Sequence, residues 1–254
     1  MVTDNNSSGI QRDLRGKTAL ITGGSKGIGK ATALALAEEG VNVILFARTE
    51  RDLKNTAAEI RNKGGSATFY AGDGTDEKTV KSLAESLAKD KVHVDILINN
   101  MGVGKYGLIE TFTIEDYDWL MNTNMRSTFL FSRLFVPPML KRQDGDVIFV
   151  ASVSGLNGLS GRAIYCATKN AQVAFAEALD YECRTKNVRV SVLAPGGVNT
   201  DFAMGTGRTK DMPHLAKMLT SADVASAIHY TLCHHEKSRA FLIGMRPLFE
   251  EILQ

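Results

Sequence analysis

The sequence predicts an α/β fold, a doubly wound, seven-stranded parallel sheet in a single domain. Short apolar runs rich in β-branched residues alternate with longer segments of helical period, which is typical of parallel strands joined by crossover helices. The length of 254 residues is enough for one large domain with a well-buried core. The 23 glycines follow apolar runs and form no linker, so nothing marks a boundary between two domains.

The predicted elements alternate along the chain, beginning with a strand. The strands are predicted at residues 18–22, 42–46, 67–71, 96–99, 146–150, 189–194 and 240–243. The segments between them, where apolar residues recur with the helical period, are predicted as helices at 26–39, 49–63, 76–89, 114–141, 162–186 and 221–233. Sheets of this kind bind ligands at the carboxyl ends of their strands.

Charge and composition exclude several classes of protein. The 30 basic and 28 acidic residues leave a net charge of +2 spread along the chain, which indicates neither nucleic acid nor an anionic membrane as a partner. Residues 1–14 are polar and lack the apolar core of a signal peptide, so we interpret them as an N-terminal tail before a domain at 15–254. No apolar run reaches the ~18 residues of a membrane span.

The cysteines and histidines indicate no disulfide framework and no metal site. The 3 cysteines are odd in number and lack the spacing of metal ligands, which favours reduced thiols and a cytoplasmic protein. His234 and His235, followed by Glu236, are interpreted as a solvated turn, because three adjacent residues do not all face one ion. We therefore expect no metal.

A glycine-rich loop follows the first predicted strand. It reads Thr22-Gly23-Gly24-Ser25-Lys26-Gly27-Ile28-Gly29 and runs into an alanine-rich helix. Glycine lets the backbone turn sharply and approach a pyrophosphate, while the helix offers unpaired N–H groups and a positive dipole end. The loop has three residues between the first two of its key glycines, unlike the G-x-G-x-x-G fingerprint, but its place between strand and helix predicts a dinucleotide site.

The end of the second predicted strand favours NADP(H) over NAD(H). Sites for NAD use an acidic residue at this point, whereas a basic residue accommodates the extra phosphate of NADP. This chain has Arg48 there and no carboxylate. Lys26 of the glycine loop adds a second positive charge, and the alternative, two solvated surface residues, leaves the missing acid unexplained.

Tyr165 and Lys169 are spaced to lie one turn apart on the same helix face. A nearby cation stabilises a phenolate and lowers the pKa of tyrosine from its ordinary value of ~10, so the pair is suited to proton transfer with an oxygen. The spacing alone also arises by chance, and its surroundings decide its meaning.

Together, the glycine loop and this pair resemble the short-chain dehydrogenase/reductase family from about residue 16 to residue 247. Further segments match the family pattern in order: Asp73, Asn99-Asn100-Met101-Gly102, Asn124, Ser152, and Pro195-Gly196-Gly197-Val198-Asn199-Thr200. Met101 stands where the family usually has alanine. Ser154 is a second candidate for the serine, but only Ser152 has the family's distance from Tyr165. The pattern is closest to 3-oxoacyl-(acyl-carrier-protein) reductases and related carbonyl reductases.

The resemblance implies a Rossmann fold and a complete set of site residues. The implied catalytic residues are Asn124, Ser152, Tyr165 and Lys169. The residues implied to bind NADP(H) are Gly23, Ser25, Lys26, Gly27, Ile28, Gly29, Arg48, Asp73, Asn100, Gly102, Tyr165, Lys169, Pro195, Gly196, Val198 and Thr200.

The implied mechanism is reduction of a carbonyl. We expect Ser152 to donate a hydrogen bond to the substrate oxygen while Tyr165 supplies the proton. Lys169 is expected to lower the pKa of Tyr165 and to bind the nicotinamide ribose, and the resemblance implies that Asn124 holds a water that links Lys169 to solvent. The alternative is a non-catalytic NADP-binding sensor or scaffold, which has no need of such a set.

Substrate recognition is assigned to residues 202–219, a segment rich in Gly and Met that is interpreted as a mobile lid. It suits a ketone or an acyl thioester, with an acyl carrier protein as a candidate partner. Alcohol, steroid, sugar and pterin dehydrogenases remain alternatives within the enzyme class. The family forms its subunit contacts through the helices predicted at 114–141 and 162–186, so a homotetramer or homodimer is expected.

Overall fold

The computed structural model describes residues 12–234 and 237–250. One parallel sheet of 7 strands, in the order β3-β2-β1-β4-β5-β6-β7, confirms the predicted fold class. The strands β1 to β7 are Thr18–Thr22, Asn42–Ala47, Ala67–Ala71, Ile96–Asn99, Gly145–Val150, Val188–Pro195 and Leu242–Met245. The order reverses between β1 and β4, and a crevice for ligands lies at such a point.

Helices cover both faces of the sheet. The helices α1 to α7 are Gly27–Glu38, Glu50–Asn62, Glu77–Lys89, Ile114–Met121, Ser127–Arg142, Ala163–Cys183 and Ser221–Cys233. Successive strand residues point to opposite faces, so Ala19 and Ile21 pack under α1, α2 and α7, while Leu20 packs under α3, α5 and α6. Burial on both faces explains why the central strands are almost continuously apolar.

The helix predicted at 114–141 is interrupted, and that prediction is wrong in this respect. α4 ends at Met121, a π-helical turn follows over Asn122–Arg126, and α5 then begins. The turn contains Asn124, whose backbone oxygen accepts hydrogen bonds from Thr128 and Gln172 side chains. Polar side chains that bond to the helix backbone in this way accommodate an extra residue in a turn.

Two other predicted elements differ from the structure. The strand predicted at 240–243 is displaced by two residues, because β7 pairs with β6 from Val192 opposite Leu242 to Pro195 opposite Met245. The helix predicted at 162–186 ends as an α-helix at Cys183 and continues as one 3₁₀ turn. Asn187, with φ of 54°, then turns the chain toward β6.

Parts of two predicted features lie outside the described residues, namely residues 1–11 of the predicted tail and His235 and Glu236 of the predicted turn, as do residues 251–254 of the predicted domain. Within the predicted tail, Arg12 forms a two-bond ion pair with Asp146 at 2.9 Å, and Leu14 is buried. None of the helices in the described ranges is both long and apolar enough to span a membrane.

Candidate active site

The glycine loop lies at the carboxyl end of β1 and is shaped for close approach of a ligand. Gly23 and Gly27 have φ of +66° and +54°, a conformation that side chains rarely adopt. A Cβ at Gly29 would lie 2.3 Å from the backbone oxygen of Gly23, so no side chain fits there. Lys26 precedes α1 without capping it, and no side chain satisfies the first N–H groups of the helix from this position. The loop therefore presents free N–H donors and the positive end of a helix dipole.

Positive charge and no carboxylate mark the end of β2. Arg48 is exposed directly after β2, and Lys26 is exposed in the neighbouring loop. Among the described residues, neither makes an ion pair or a side-chain hydrogen bond. Asp73 follows β3 and accepts hydrogen bonds at 2.9 Å from the backbone N–H and the hydroxyl of Thr75, both on Oδ1. The side chains of Arg48 and Lys26 are thus available to bind a phosphate.

Asn100 joins the loop after β4 to the glycine loop. Its Nδ2 donates to the backbone oxygen of Thr22 at 2.9 Å, and the Thr22 hydroxyl accepts from the N–H groups of Asn100 and Met101 at 2.9 and 3.0 Å. A Cβ at Gly102 would lie 3.4 Å from Nζ of Lys169. The loop after β4 therefore connects the dinucleotide end of the sheet with the lysine.

Ser152 and Tyr165 form a buried hydroxyl pair. Ser152 follows β5 in extended backbone, Tyr165 lies in the first turns of α6, and they are 7% and 5% exposed. Burial raises the pKa of Tyr165; Tyr106 adds to the rise, while a hydrogen bond with Ser152 opposes it. Ser154 is also buried, but its hydroxyl has no hydrogen-bond partner among the described residues. Tyr165 and Ser152 therefore interact in a buried part of the site, and the choice of Ser152 over Ser154 stays a prediction.

Lys169 is held by two acceptors inside the protein. Its Nζ donates to Oε1 of Gln172 at 2.8 Å and to the backbone oxygen of Val150 at 3.1 Å, and it lies 6.0 Å from the centroid of the Tyr165 ring. Burial lowers the pKa of Lys169 to about 7, because the ammonium loses its hydration. The role expected of Lys169 in lowering the pKa of Tyr165 stays a prediction.

Gln172 connects Lys169 to Asn124. It is 0% exposed, and its Nε2 donates to the backbone oxygen of Asn124 at 2.9 Å and to the Thr128 hydroxyl at 2.7 Å. The side chain of Asn124 bonds to the backbone of Val103 through both its oxygen and its nitrogen, at 2.7 and 3.0 Å. Gln172 thus connects Lys169 with the backbone of Asn124, and the water expected at Asn124 stays a prediction.

Two aromatic rings pack against Tyr165. Tyr106 packs edge-on at 5.6 Å between ring centroids, and Phe202 packs at 5.8 Å. Phe202 begins the segment predicted as a lid, whose first part is bonded to the loop after β4. The N–H of Tyr106 donates to the backbone oxygen of Thr206 at 2.8 Å, and the Thr206 hydroxyl donates to Gly104 at 2.6 Å. The rings make an apolar wall around the phenol.

The segment after β6 meets the C-terminal residues. The N–H of Gly197 donates to Oε2 of Glu250 at 3.1 Å, and a Cβ at Gly196 would lie 2.5 Å from the same oxygen. Arg246 holds the other oxygen of Glu250 at 3.2 Å. Thr200 lies beside the glycine loop, 3.4 Å from the position of a Cβ at Gly27. The C-terminal residues therefore cover part of the predicted cofactor segment.

The structure brings the predicted residues to one edge of the sheet and adds others that sequence reasoning missed. The added residues are Tyr106, Arg162, Gln172 and Glu250, whereas Arg208 lies in the segment predicted at 202–219. Gln172 carried a signal, since a glutamine three residues after Lys169 lies on the same helix face. The others lie on loops or termini, and their proximity to Tyr165 or to the Gly196 segment follows from long-range contacts only.

Comparison with known proteins agrees with this geometry. A family model described as short chain dehydrogenase matches residues 17–211. The chain is 33% identical over 204 residues to the 3-oxoacyl-(acyl-carrier-protein) reductase of Thermotoga maritima, covering 80% of each chain. It is 31% identical over 241 residues to the sepiapterin reductase of Chlorobaculum tepidum, covering 92% of this chain and 93% of the relative. A solved metagenomic short-chain oxidoreductase in complex with NADP superposes with a TM-score of 0.81 at 29% identity, covering 94% of this chain and 100% of that one.

Proposed function

The chain belongs to the short chain dehydrogenase family, and from this premise we propose that it is an NADP(H)-dependent reductase of ketone carbonyls. The observation that carries the proposal is the buried Tyr165, which lies beside Ser152 and is enclosed by Tyr106 and Phe202, at the ligand-binding edge of the sheet. A protonated phenol in a dry site beside a second hydroxyl is suited to give a proton to a carbonyl oxygen.

NADP(H) is the proposed cofactor. The side-chain-free position at Gly29 and the uncapped start of α1 suit a pyrophosphate, and the unpaired Arg48 and Lys26 suit the 2′-phosphate. The residues predicted for the cofactor from Gly23 to Thr200 lie along the same edge. The bound cofactor supplies the hydride and is left as NADP⁺.

The protein's own residues bind, orient and protonate the substrate. Ser152 donates a hydrogen bond to the carbonyl oxygen and fixes its position, and Tyr165 donates its phenolic proton to that oxygen, which becomes the product hydroxyl. The high pKa that burial gives Tyr165 keeps the phenol protonated until negative charge develops on the oxygen. Lys169, which is positioned by its hydrogen bonds to Gln172 and Val150, lies one helical turn after Tyr165 and binds the ribose hydroxyls.

The finer assignments belong to the same proposal. The similarity to 3-oxoacyl-(acyl-carrier-protein) reductases favours 3-oxoacyl thioesters among the ketones to be tried, with an acyl carrier protein as partner. Phe129 on α5 and Tyr181 on α6 are 43% and 58% exposed, which supports a homodimer or homotetramer built through these helices. A cytoplasmic location fits the 3 cysteines, which are buried and unpaired.

The test compares two tyrosines on the same helix. NADPH absorbance is followed with a panel of 3-oxoacyl thioesters, simple ketones, sugars, steroids and pterins, and NADPH binding is measured by calorimetry. Tyr165→Phe is expected to lower kcat by about 10²- to 10⁴-fold and to leave NADPH affinity nearly unchanged. Tyr181→Phe, at an exposed position of α6, is the control and is expected to behave as the wild type.

Each contrary result is distinct. Full activity of Tyr165→Phe contradicts the assignment of the proton donor. Tight NADPH binding without turnover of any compound by the wild type favours the alternative, a non-catalytic NADP-binding sensor or scaffold. Preference for NADH over NADPH contradicts the role given to Arg48 and Lys26.

A further inference from the structure

Arg208 is a buried cation beside the proposed active site. Its side chain lies over the ring of Phe202, with 5.9 Å between the guanidinium carbon and the ring centroid, and Phe202 itself packs against Tyr165. The residue is only 8% exposed. Its guanidinium makes one side-chain hydrogen bond among the described residues, from Nη1 to the backbone oxygen of Val198 at 2.9 Å.

One hydrogen bond is little for such a group. Arginine remains charged in proteins and carries five N–H donors, and a buried charge without a partner is costly. Three other arginines with little-exposed side chains have carboxylate partners, since Arg12 and Arg189 bond to Asp146, and Arg246 bonds to Glu250. Arg208 has no such ion pair in the described ranges. The remaining N–H groups of the Arg208 guanidinium therefore have no acceptor among the described residues, and a ligand could supply one.

Arg162 is a second cation at the same site. It is half-buried immediately before α6, and its guanidinium carbon lies 4.5 Å from the centroid of the Tyr106 ring, which packs against Tyr165. Like Arg208, it has no carboxylate partner among the described residues. The two guanidiniums are thus each separated from Tyr165 by one aromatic ring.

The charges of both arginines reach the phenols. Burial raises the pKa of Tyr165 and of Tyr106, and Arg208 and Arg162 oppose that rise in each case. An effect of this kind requires that the cations lie close to the hydroxyl groups in poorly solvated surroundings. The effect of the arginines on these pKa values and their ring contacts both place positive charge around the expected position of the substrate.

We propose that the substrate carries an anionic group, a carboxylate or a phosphate, a few bonds from its carbonyl, and that Arg208 binds this group with Arg162 beside it. The inference rests on the proposed function and, among its substrates, favours oxo acids or phosphorylated ketones over 3-oxoacyl thioesters, whose acyl chain is uncharged. Planar guanidinium groups bind both anions through paired hydrogen bonds, which explains why two arginines occupy a wall that is otherwise aromatic.

The test uses ketones that differ only in charge. Rates of NADPH oxidation are measured with 3-oxohexanoate against methyl 3-oxohexanoate, and with dihydroxyacetone phosphate against dihydroxyacetone. The wild type is expected to favour the anionic member of one pair by about 10- to 100-fold in kcat/KM, mostly through KM. The pair that shows the preference distinguishes carboxylate from phosphate.

Three variants test which arginine causes the preference for the anionic ketone. Arg208→Met is expected to remove most of the anionic-to-neutral ratio, Arg208→Lys to keep part of it, and Arg162→Met to reduce it by a smaller factor. Arg184→Met is the matched control, because Arg184 also lies 4.5 Å over a tyrosine ring but at the far end of α6. Circular dichroism verifies that each variant is folded.

Several outcomes overturn the inference. Equal kcat/KM for both members of both pairs in the wild type contradicts it, as does an unchanged ratio in folded Arg208→Met or Arg208→Lys. If no ketone is turned over, the reductase proposal fails. The anion site is then tested separately, by calorimetry of 3-oxohexanoate and of dihydroxyacetone phosphate binding to the protein in the presence of NADP⁺. Binding that Arg208→Met abolishes supports the anion site, and absence of binding overturns it.

Discussion

Replacing Gln172 by leucine removes the side chain that joins Lys169 to Asn124 while nearly preserving its volume. The substitution deletes the acceptor at 2.8 Å from Nζ of Lys169 and two donated bonds, to the Asn124 oxygen and the Thr128 hydroxyl. The ammonium keeps only the backbone oxygen of Val150. We expect the charged form of Lys169 to become less favourable.

The size of the effect follows from these contacts. A hydrogen bond to a charged group contributes about 1.5 to 3 kcal/mol. Its loss in Gln172→Leu is expected to lower the pKa of Lys169 from about 7 to about 5 or 6. Loss of the three bonds also lowers the free energy of unfolding by about 2 to 4 kcal/mol, or Tm by about 4 to 15 °C. The protein remains folded at 25 °C within the ordinary range of stabilities.

The assay is kcat/KM for ketone reduction as a function of pH, with Tm from circular dichroism. Since a charged Lys169 supports the phenolate that forms at Tyr165, the pH above which kcat/KM falls is expected to be lower by about one to two in Gln172→Leu. Gln172→Glu restores an acceptor for Nζ and is expected to move the same limb to higher pH than in the wild type. A Gln172→Leu profile that coincides with the wild type would refute the reasoning, whatever the change in Tm.

Three further predictions concern the cofactor loop and the lysine. Arg48→Ser is expected to lower the NADPH-to-NADH ratio of kcat/KM by about 10- to 100-fold, because a charged donor to the phosphate is lost. Arg51→Ser, at an exposed neighbouring position, is the control. An unchanged ratio in Arg48→Ser would exclude a role of Arg48 in binding the 2′-phosphate. Gly29→Ala places a Cβ 2.3 Å from the Gly23 oxygen, so the loop must move and calorimetry is expected to show at least about 10-fold weaker NADP⁺ binding; wild-type affinity would contradict the fit. Lys169 has a folded pKa of about 7 against an ordinary value of 10.5, so the unfolded state binds more protons between these values and Lys169 makes the free energy of unfolding rise with pH there. Urea unfolding at pH 7, 8 and 9 is expected to show a smaller rise in Lys169→Met, and an equal rise would contradict the lowered pKa.

The sheet was predictable because its signals are local. Four buried residues, three of them apolar, are enough to indicate β4, and the glycines that follow β1 indicate the turn that approaches a phosphate. β7 was harder to place because its residues alternate between exposed and half-buried at the edge of the sheet, so no sharp apolar boundary marks it. Its register depends on hydrogen bonds to β6.

The interior of the site was not predictable, because distant parts of the chain form it. The apolar pattern runs without a break from α4 into α5, and the π-helical turn follows from bonds that Asn124 makes to Val103 and accepts from Gln172. The aromatic wall brings together Tyr106, from the loop after β4, and Phe202, from the loop after β6. No spacing in the sequence specifies such contacts.

Two arginines lie near Tyr165 in addition to the predicted Lys169, and their charge bears on the direction of the reaction. With Lys169 near its pKa at neutral pH, the permanent cations close to the phenol are Arg208 and Arg162, and their charge lowers the pKa of Tyr165 against the effect of burial. An anionic substrate bound to Arg208 cancels part of that charge and so raises the pKa of Tyr165 again. The phenol is then most firmly protonated when the substrate is in place, which is the state that carbonyl reduction requires of a proton donor. Under the proposal of an anionic substrate, recognition and proton donation are therefore coupled through the same arginine.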